Sequence, residues 1–150
     1  FSSINKKIEW GYKQCSYDWI YRLDDDDLLA PKALQIVADD IQNYPGYEIY
    51  RGFGMYLFTD NRYIGVQHNV NNGNVYSKNY FNRIQFLDSS WGEDVNITFG
   101  YGGTHVSSKY TTMIYRWGMS TYFISEATAC SISAFACPNI IGPHELIRSI

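Results

Sequence analysis

An apolar strand that runs directly into four aspartates is the feature that most restricts how this chain folds. The stretch from Tyr17 to Leu23 is rich in aromatic and branched residues and is too short for a typical helix, so it predicts a strand. Asp24 to Asp27 follow it without a break. Neighbouring carboxylates repel one another and are costly to desolvate, so a strand that ends in four of them needs a compensating partner.

A divalent cation is the simplest partner for these carboxylates. Mg²⁺ and Mn²⁺ prefer carboxylate oxygens, and ligands of α/β proteins bind beyond the carboxyl ends of strands. The alternative is a solvated acidic turn before the helix predicted from Pro31, because aspartates favour the positive end of a helix. An EF-hand is excluded, since its obligatory Gly and Glu positions, counted from Asp24, hold Leu29 and Gln35.

The rest of the sequence predicts alternating helices and strands, which is typical of an α/β domain. The predicted helices are Ile4 to Gln14, Pro31 to Asn43 and Ser107 to Met119. The predicted strands are Glu48 to Tyr56, Tyr63 to Gln67 and Thr121 to Ser125. Two mixed stretches complete the pattern: a strand end followed by a short helix over Val75 to Ile84, and a helical stretch after Trp91 that ends at Gly100.

Length and composition restrict the functional class. The chain has 150 residues, of which 45% are hydrophobic and 18% charged, so it supports one folded domain and is not a disordered tail. Its net charge of −3 argues against a large electropositive surface for nucleic acid. No apolar run approaches the roughly 20 residues of a membrane helix, so we expect no membrane span and a cytoplasmic or membrane-peripheral location.

Two motifs resemble those of GT-A glycosyltransferases, above all the large inverting family 2. Tyr17 to Asp27 resembles the DxD segment of that family. Trp91-Gly92-Glu93-Asp94 resembles its GED motif, which also stands beside a Trp in β-1,4-galactosyltransferases. The resemblance covers roughly residues 1–100. It implies a GT-A, Rossmann-like mixed sheet flanked by helices.

The resemblance implies that a sugar moves from a UDP-, GDP- or dTDP-sugar to a hydroxyl of a carbohydrate or glycoconjugate acceptor, with inversion at the anomeric carbon. Asp24 and Asp26 match the DxD positions and would together hold Mn²⁺ or Mg²⁺ and the donor diphosphate: Asp26 would bind the metal directly, and Asp24 would bind the ribose or a metal-bound water. Asp27 would be a further metal ligand.

On the acceptor side, Asp94 matches the family's catalytic base, which takes the proton of the attacking hydroxyl. Glu93 would orient the acceptor, and the Trp91 ring would stack against a sugar face. The alternative for Glu93 and Asp94 is an ordinary helix N-terminus, where acidic residues are favoured.

Two further site predictions concern Arg116 and the histidines. Arg116-Trp117 resembles the end of the QxxRW motif of processive family members, but Met113 occupies the Gln position, so a processive polymerase is not expected. Arg116 is predicted to bind the donor phosphates, with a surface helix residue as the alternative. His105 and His144 are predicted as extra metal ligands, because some GT-A enzymes use a histidine after the second acidic motif; a structural or solvent-facing histidine is the alternative.

The chain also departs from the family pattern. In GT-A folds a nucleotide-binding βαβ unit precedes the DxD strand, whereas 23 residues precede Asp24 here. We therefore interpret residues 1–150 as the C-terminal part of a single catalytic domain without that N-terminal half. Three alternatives stay open: a retaining GT-A transferase that does not need Asp94 as a base, a non-catalytic carbohydrate-binding derivative of the fold, and a nucleotidyltransferase of related fold.

Overall fold

Two mixed β-sheets and several short helices make up the part of the chain that the computed structural model describes, which is residues 1–24, 26–59, 62–68 and 72–117. The predicted α/β composition is confirmed. The described strands form two four-stranded sheets, each with parallel and antiparallel pairs.

Two of the helices begin at a serine whose side chain caps them. Ser3 accepts a hydrogen bond from the Lys6 amide at 3.3 Å, and Ser77 accepts one from the Tyr80 amide at 3.1 Å. The helices are α1 (Ile4–Gln14), α2 (Ala33–Asn43), α3 (Lys78–Arg83) and α4 (Glu93–Val95), which continues into a π-helix (Asn96–Gly100). Among the described residues, none of these helices has the length and apolar character needed to cross a bilayer.

The first sheet has the strand order β1-β6-β3-β7. Its strands are β1 (Trp19–Tyr21), β3 (Ile49–Arg51), β6 (Val75–Ser77) and β7 (His105–Ser107). The strand β6 is antiparallel to both of its neighbours, and β7 is parallel to β3. The strands β1, β3 and β7 therefore point the same way, and β1 lies at one edge of the sheet.

The second sheet has the strand order β2-β8-β4-β5. Its strands are β2 (Leu28–Leu29), β4 (Gly54–Thr59), β5 (Arg62–His68) and β8 (Met113–Trp117). The strand β8 is parallel to β4 and antiparallel to β2. Because β2 follows the four aspartates directly, these residues connect the edge of the first sheet to the edge of the second.

Two predicted elements are wrong. The single strand over Glu48 to Tyr56 is two strands in different sheets, separated at Gly52 and Phe53. The helix over Ser107 to Met119 is absent from its described part, where β7 ends and β8 begins. The physical reason is that β8 completes the second sheet between β2 and β4, and this long-range pairing outweighs local helix periodicity.

Aromatic rings dominate the core on one side of the first sheet. The Phe81 ring lies 5.2 Å from Tyr12, 4.9 Å from Tyr76 and 5.7 Å from Phe86, measured between ring centroids. The buried members of this cluster come from α1, both central strands, α3, the loop after α3 and the π-helix: Tyr12, Ile49, Tyr76, Tyr80, Phe81, Phe86 and Ile97. The cluster therefore fixes the π-helix, through Ile97, against the sheet.

A buried polar network ties the same π-helix to β6. The Asn74 side-chain amide donates to the Thr98 hydroxyl at 3.2 Å and to the Tyr76 hydroxyl at 3.4 Å, and the two hydroxyls lie 3.0 Å apart. All three residues are at most 1% exposed. Buried polar groups are costly unless paired, so this network holds the segment after Asp94 in one register.

Replacing Phe81 with alanine is expected to lower the free energy of unfolding by about 3–5 kcal/mol, because it empties a site at the centre of the aromatic cluster. Urea unfolding followed by tryptophan fluorescence measures the effect. Phe53→Ala is the matched control, since that ring is 46% exposed. Equal losses for the two variants would contradict this assignment of the core.

Candidate functional site

The segment from Asp24 to Asp27, called the acidic loop below, lies between β1 and β2, and its described residues are Asp24, Asp26 and Asp27. Asp25 lies outside the described residues. The loop begins as a tight turn, in which the Asp27 amide donates to the Asp24 carbonyl at 3.1 Å. It leaves the carboxyl end of β1, which is where the sequence predicts a ligand-binding loop.

Asp27 is the buried member of the loop, with 4% of its surface exposed. Its Oδ1 accepts a hydrogen bond from the Arg116 amide at 3.4 Å, while its Oδ2 is buried and has no hydrogen-bond partner among the described residues. Burial raises the pKa of this carboxyl to about 7, although the Arg116 amide acts in the opposite direction. The buried carboxyl is thus a group that a proton or a cation would stabilise.

Asp27 should make the fold less stable as the pH rises. The folded chain holds this proton up to about pH 7, whereas a carboxyl in the unfolded chain loses it near pH 4, so the contribution of Asp27 declines across that window. In metal-free buffer, the free energy of unfolding of the unmodified chain should fall by on the order of 2–4 kcal/mol across this window, and Asp27→Asn should remove that fall. Unfolding by urea from pH 4 to 8 measures it.

Asp39→Asn is the control for that titration, because Asp39 is exposed on α2 and bonds only to Gln35 in the described structure. A pH dependence in Asp27→Asn that matches the unmodified chain would contradict the assigned burial of this carboxyl.

Arg116 lies beside the acidic loop. It is on β8, and its Nε donates to the Asp26 carbonyl at 2.5 Å while its amide bonds Asp27. The sequence predicted that Arg116 lies on a helix and belongs to the site. The predicted helix is wrong, but Arg116 does contact the acidic loop. Because Nε is occupied by the Asp26 backbone carbonyl, an anion would have to bind this guanidinium through its two terminal nitrogens.

The segment Trp91 to Asp94 forms a sharp turn into a helix. Gly92 has a φ of +65°, a conformation that favours glycine, and α4 begins at the next residue. Glu93 and Asp94 occupy the first turn of α4, with side chains 17% and 19% exposed. The Trp91 side chain is 76% exposed, so its ring faces solvent. In the sequence it precedes these two carboxylates by two and three positions.

Arg22 brings the two acidic segments together. Its guanidinium lies 3.1 Å from Asp24 Oδ1 and 3.6 Å from Glu93 Oε1, and it also pairs with Asp94 Oδ1. The Arg22 side chain is 11% exposed, and its amide donates to the Asn74 carbonyl at 3.1 Å. One guanidinium therefore joins the first residue of the acidic loop to both acidic residues of the Trp91–Asp94 segment.

The cluster around Arg22 carries an excess of negative charge. Three carboxylates share one guanidinium, which leaves two uncompensated negative charges when all are ionised. Such an excess in a partly buried site suits a cationic partner.

Sequence reasoning missed the role of Arg22. The signal that could have found it is a single charged residue within the otherwise apolar run Trp19 to Leu23, because a buried charge in a strand requires counter-charges nearby.

The predicted metal ligands do not form a complete protein cage. Among the described residues, no group of three His, Cys, Asp or Glu side chains could hold a metal ion. Asp24, Asp26 and Asp27 share the acidic loop, while His105 is on β7 with its ring 5.4 Å from that of Phe99. His144 lies outside the described residues.

The acidic loop still fits a hard divalent cation. Mg²⁺ is commonly bound by one or two carboxylates together with substrate phosphates, and it does not need a cage made of protein alone. The carboxylates of Asp24 and Asp26 supply oxygen ligands of that kind, and the unpaired Asp27 Oδ2 lies in the same loop. Metal binding by these residues stays a prediction.

Comparison with known proteins gives this chain no family. Its sequence matches no protein-family model. A search of curated proteins also finds no match. What can be said about function therefore comes from the residues and their geometry.

Proposed function

We propose that this chain carries the metal-binding and acceptor-binding parts of a GT-A glycosyltransferase active site. The reaction is transfer of a sugar from a nucleotide-diphosphate sugar to an acceptor hydroxyl, with inversion at the anomeric carbon. The observation that carries the proposal is the Arg22 cluster, because it joins the acidic loop to the Trp91–Asp94 segment. These are the two segments that the GT-A resemblance assigns to the donor and the acceptor.

The architecture supports the proposal. The acidic loop leaves a strand of a mixed sheet in which β6 runs opposite to β1, β3 and β7. The Trp91–Asp94 segment is held near it by the aromatic cluster and by the Asn74–Thr98 network that follow in the chain. A catalytic carboxylate keeps its position when packed and hydrogen-bonded residues, such as this cluster and this network, support the segment that carries it.

On the donor side, the residues of the acidic loop would hold Mn²⁺ or Mg²⁺, with Asp24 and Asp26 as the main ligands and Asp27 beside them. The cation would neutralise charge on the leaving diphosphate. Arg116 would bind a phosphate oxygen through its terminal guanidinium nitrogens, since its Nε already bonds the Asp26 carbonyl. The cation bound by the acidic loop and the Arg116 guanidinium together would supply the positive potential that a departing diphosphate requires.

On the acceptor side, Asp94 would accept the proton of the attacking hydroxyl. Its pairing with Arg22 holds the carboxylate beside a fixed positive charge. Glu93 would orient the acceptor through a hydrogen bond, and the exposed ring of Trp91 would stack on a sugar face.

Binding of a nucleoside diphosphate tests the donor side. Calorimetry with UDP, GDP and dTDP on the full-length protein should show binding by at least one of them that is strengthened by at least about tenfold in Mn²⁺, which corresponds to about 1.4 kcal/mol. Absence of binding with all three in the presence of Mn²⁺ would contradict the proposal and favour a non-catalytic carbohydrate-binding domain.

A retaining transferase is the second candidate, because it shares the acidic loop but does not require Asp94 as a base. The anomeric configuration of the product, read from proton coupling constants by NMR, separates the two. Inversion is the expected result, and retention would remove the role assigned to Asp94.

A further inference from the structure

Arg22 is the one arginine of the described chain seen to contact three carboxylates, and two of them belong to the proposed acceptor side. The side chain is 11% exposed, so protein groups rather than water supply most of its contacts. Its amide is tied to the Asn74 carbonyl, and Asn74 is itself part of the buried network that reaches Thr98 after α4. Both the backbone and the side chain of Arg22 are therefore fixed relative to the Asp94 segment.

We propose that Arg22 is a positioning residue that holds the Asp94 carboxylate for catalysis and couples it to Asp24 across the site. The inference rests on the proposed function and extends it to a residue that lies within the DxD-like segment Tyr17 to Asp27 but to which the resemblance assigns no role. An arginine suits this task because its planar guanidinium offers five donors in a fixed geometry. A lysine is a single point charge and cannot keep three carboxylates in defined orientations at once.

The contacts favour positioning over general stabilisation. A buried arginine that only stabilises the fold needs one acidic partner. Arg22 has three, which lie 2, 71 and 72 positions away in the chain. Each partner is also a residue to which the proposed function gives a role. Removing Arg22 would leave Asp94 without its counter-charge and free to turn on the first turn of α4.

Unfolding experiments test the link without any activity. Arg22→Gln, Asp94→Asn and Asp24→Asn are combined in two double-mutant cycles on the full-length protein, with urea midpoints as the readout. We expect Arg22→Gln to shift the midpoint much less when Asp94 or Asp24 has already been replaced. Additive shifts in both cycles would overturn the proposed link.

Kinetics test the positioning role. Arg22→Ala should lower kcat by about 100-fold, since a displacement of about 1 Å costs that much, while the KM for the donor changes by less than about threefold. Free guanidinium at non-denaturing concentrations should restore part of the kcat that Arg22→Ala loses. The kcat of Arg22→Lys should lie below that of the unmodified protein. An Arg22→Ala variant with kcat within about threefold of the unmodified protein would overturn the inference.

The two proposals fail in different ways. If the unmodified protein binds and cleaves a nucleotide sugar but Arg22→Ala is unaffected, the positioning role is wrong and the proposed function stands. If the unmodified protein shows neither activity nor nucleotide binding, the proposed function is wrong, and so is the catalytic role of Arg22. Non-additive urea midpoints would then show that the link itself is structural.

Discussion

Replacing Asp94 with asparagine is expected to abolish most of the sugar transfer, lowering kcat by about 10²- to 10⁴-fold. Asparagine keeps the shape of the side chain but cannot accept the proton of the acceptor hydroxyl. The KM values for donor and acceptor should change little, because the substitution removes an interaction that matters in the transition state. Initial rates with saturating donor and acceptor measure the effect.

The Asp94→Asn result depends on the variant remaining folded, since its Arg22 pair is also altered. Circular dichroism and the urea midpoint are therefore recorded for every variant, and Asp39→Asn on the exposed face of α2 serves as the matched control. A folded Asp94→Asn variant that retains kcat within about threefold would exclude a base at this position and favour the retaining alternative.

Replacing Asp26 with asparagine should remove the Mn²⁺ dependence of nucleotide binding. A neutral amide is a much weaker ligand for a hard cation than a carboxylate, so the gain in nucleotide affinity produced by Mn²⁺ should fall by at least about tenfold. The same calorimetric titration as for the unmodified protein measures it. Nucleotide binding in the absence of metal should be the same for Asp26→Asn and the unmodified protein, because the substitution acts only through the cation.

Asp24→Asn and Asp27→Asn extend this comparison along the acidic loop. Asp24 forms an ion pair with Arg22, so Asp24→Asn should weaken both the metal-dependent binding of nucleotide and the link to the acceptor side. Asp27 is buried, and its carboxyl has a raised pKa, so a contribution to metal binding should grow as the pH rises through about 7. Unchanged Mn²⁺ dependence in all three variants would place the metal elsewhere or exclude it.

Elements with strong local signals were predictable from the sequence. The helix α1 begins and ends at the predicted residues, because its apolar periodicity and the capping Ser3 act within the helix itself. The helix α2 begins two residues later than predicted, after Pro31 and Lys32, and ends at the predicted Asn43. The strand end and short helix predicted over Val75 to Ile84 are observed as β6 and α3.

Elements that depend on distant partners were not predictable. Residues 107–117 contain enough helix-like spacing to suggest a helix, yet β8 pairs with β2 and β4, which lie far away in the chain. The division of the predicted strand at Gly52 likewise reflects which sheet each half joins. The strand predicted over Thr121 to Ser125 lies outside the described residues.

The candidate site shows the same division between local and distant information. Both acidic motifs were found from their own residues, and Arg116 was predicted in the site from a dipeptide although its secondary structure was wrong. Arg22 was overlooked because its importance arises from contacts with Glu93 and Asp94; a lone charge in an apolar strand predicts counter-charges nearby but does not say which distant residues supply them.

Release of nucleoside diphosphate from nucleotide sugars by the full-length protein tests the proposed function most directly. A panel of UDP-, GDP- and dTDP-sugars is incubated with the protein in Mn²⁺ and, separately, in a chelator. We expect release from at least one donor that requires Mn²⁺, increases with a suitable acceptor and is lost in both Asp26→Asn and Asp94→Asn. No release from any donor in Mn²⁺, or release that Asp26→Asn leaves intact, would contradict a metal-dependent glycosyltransferase built on the acidic loop.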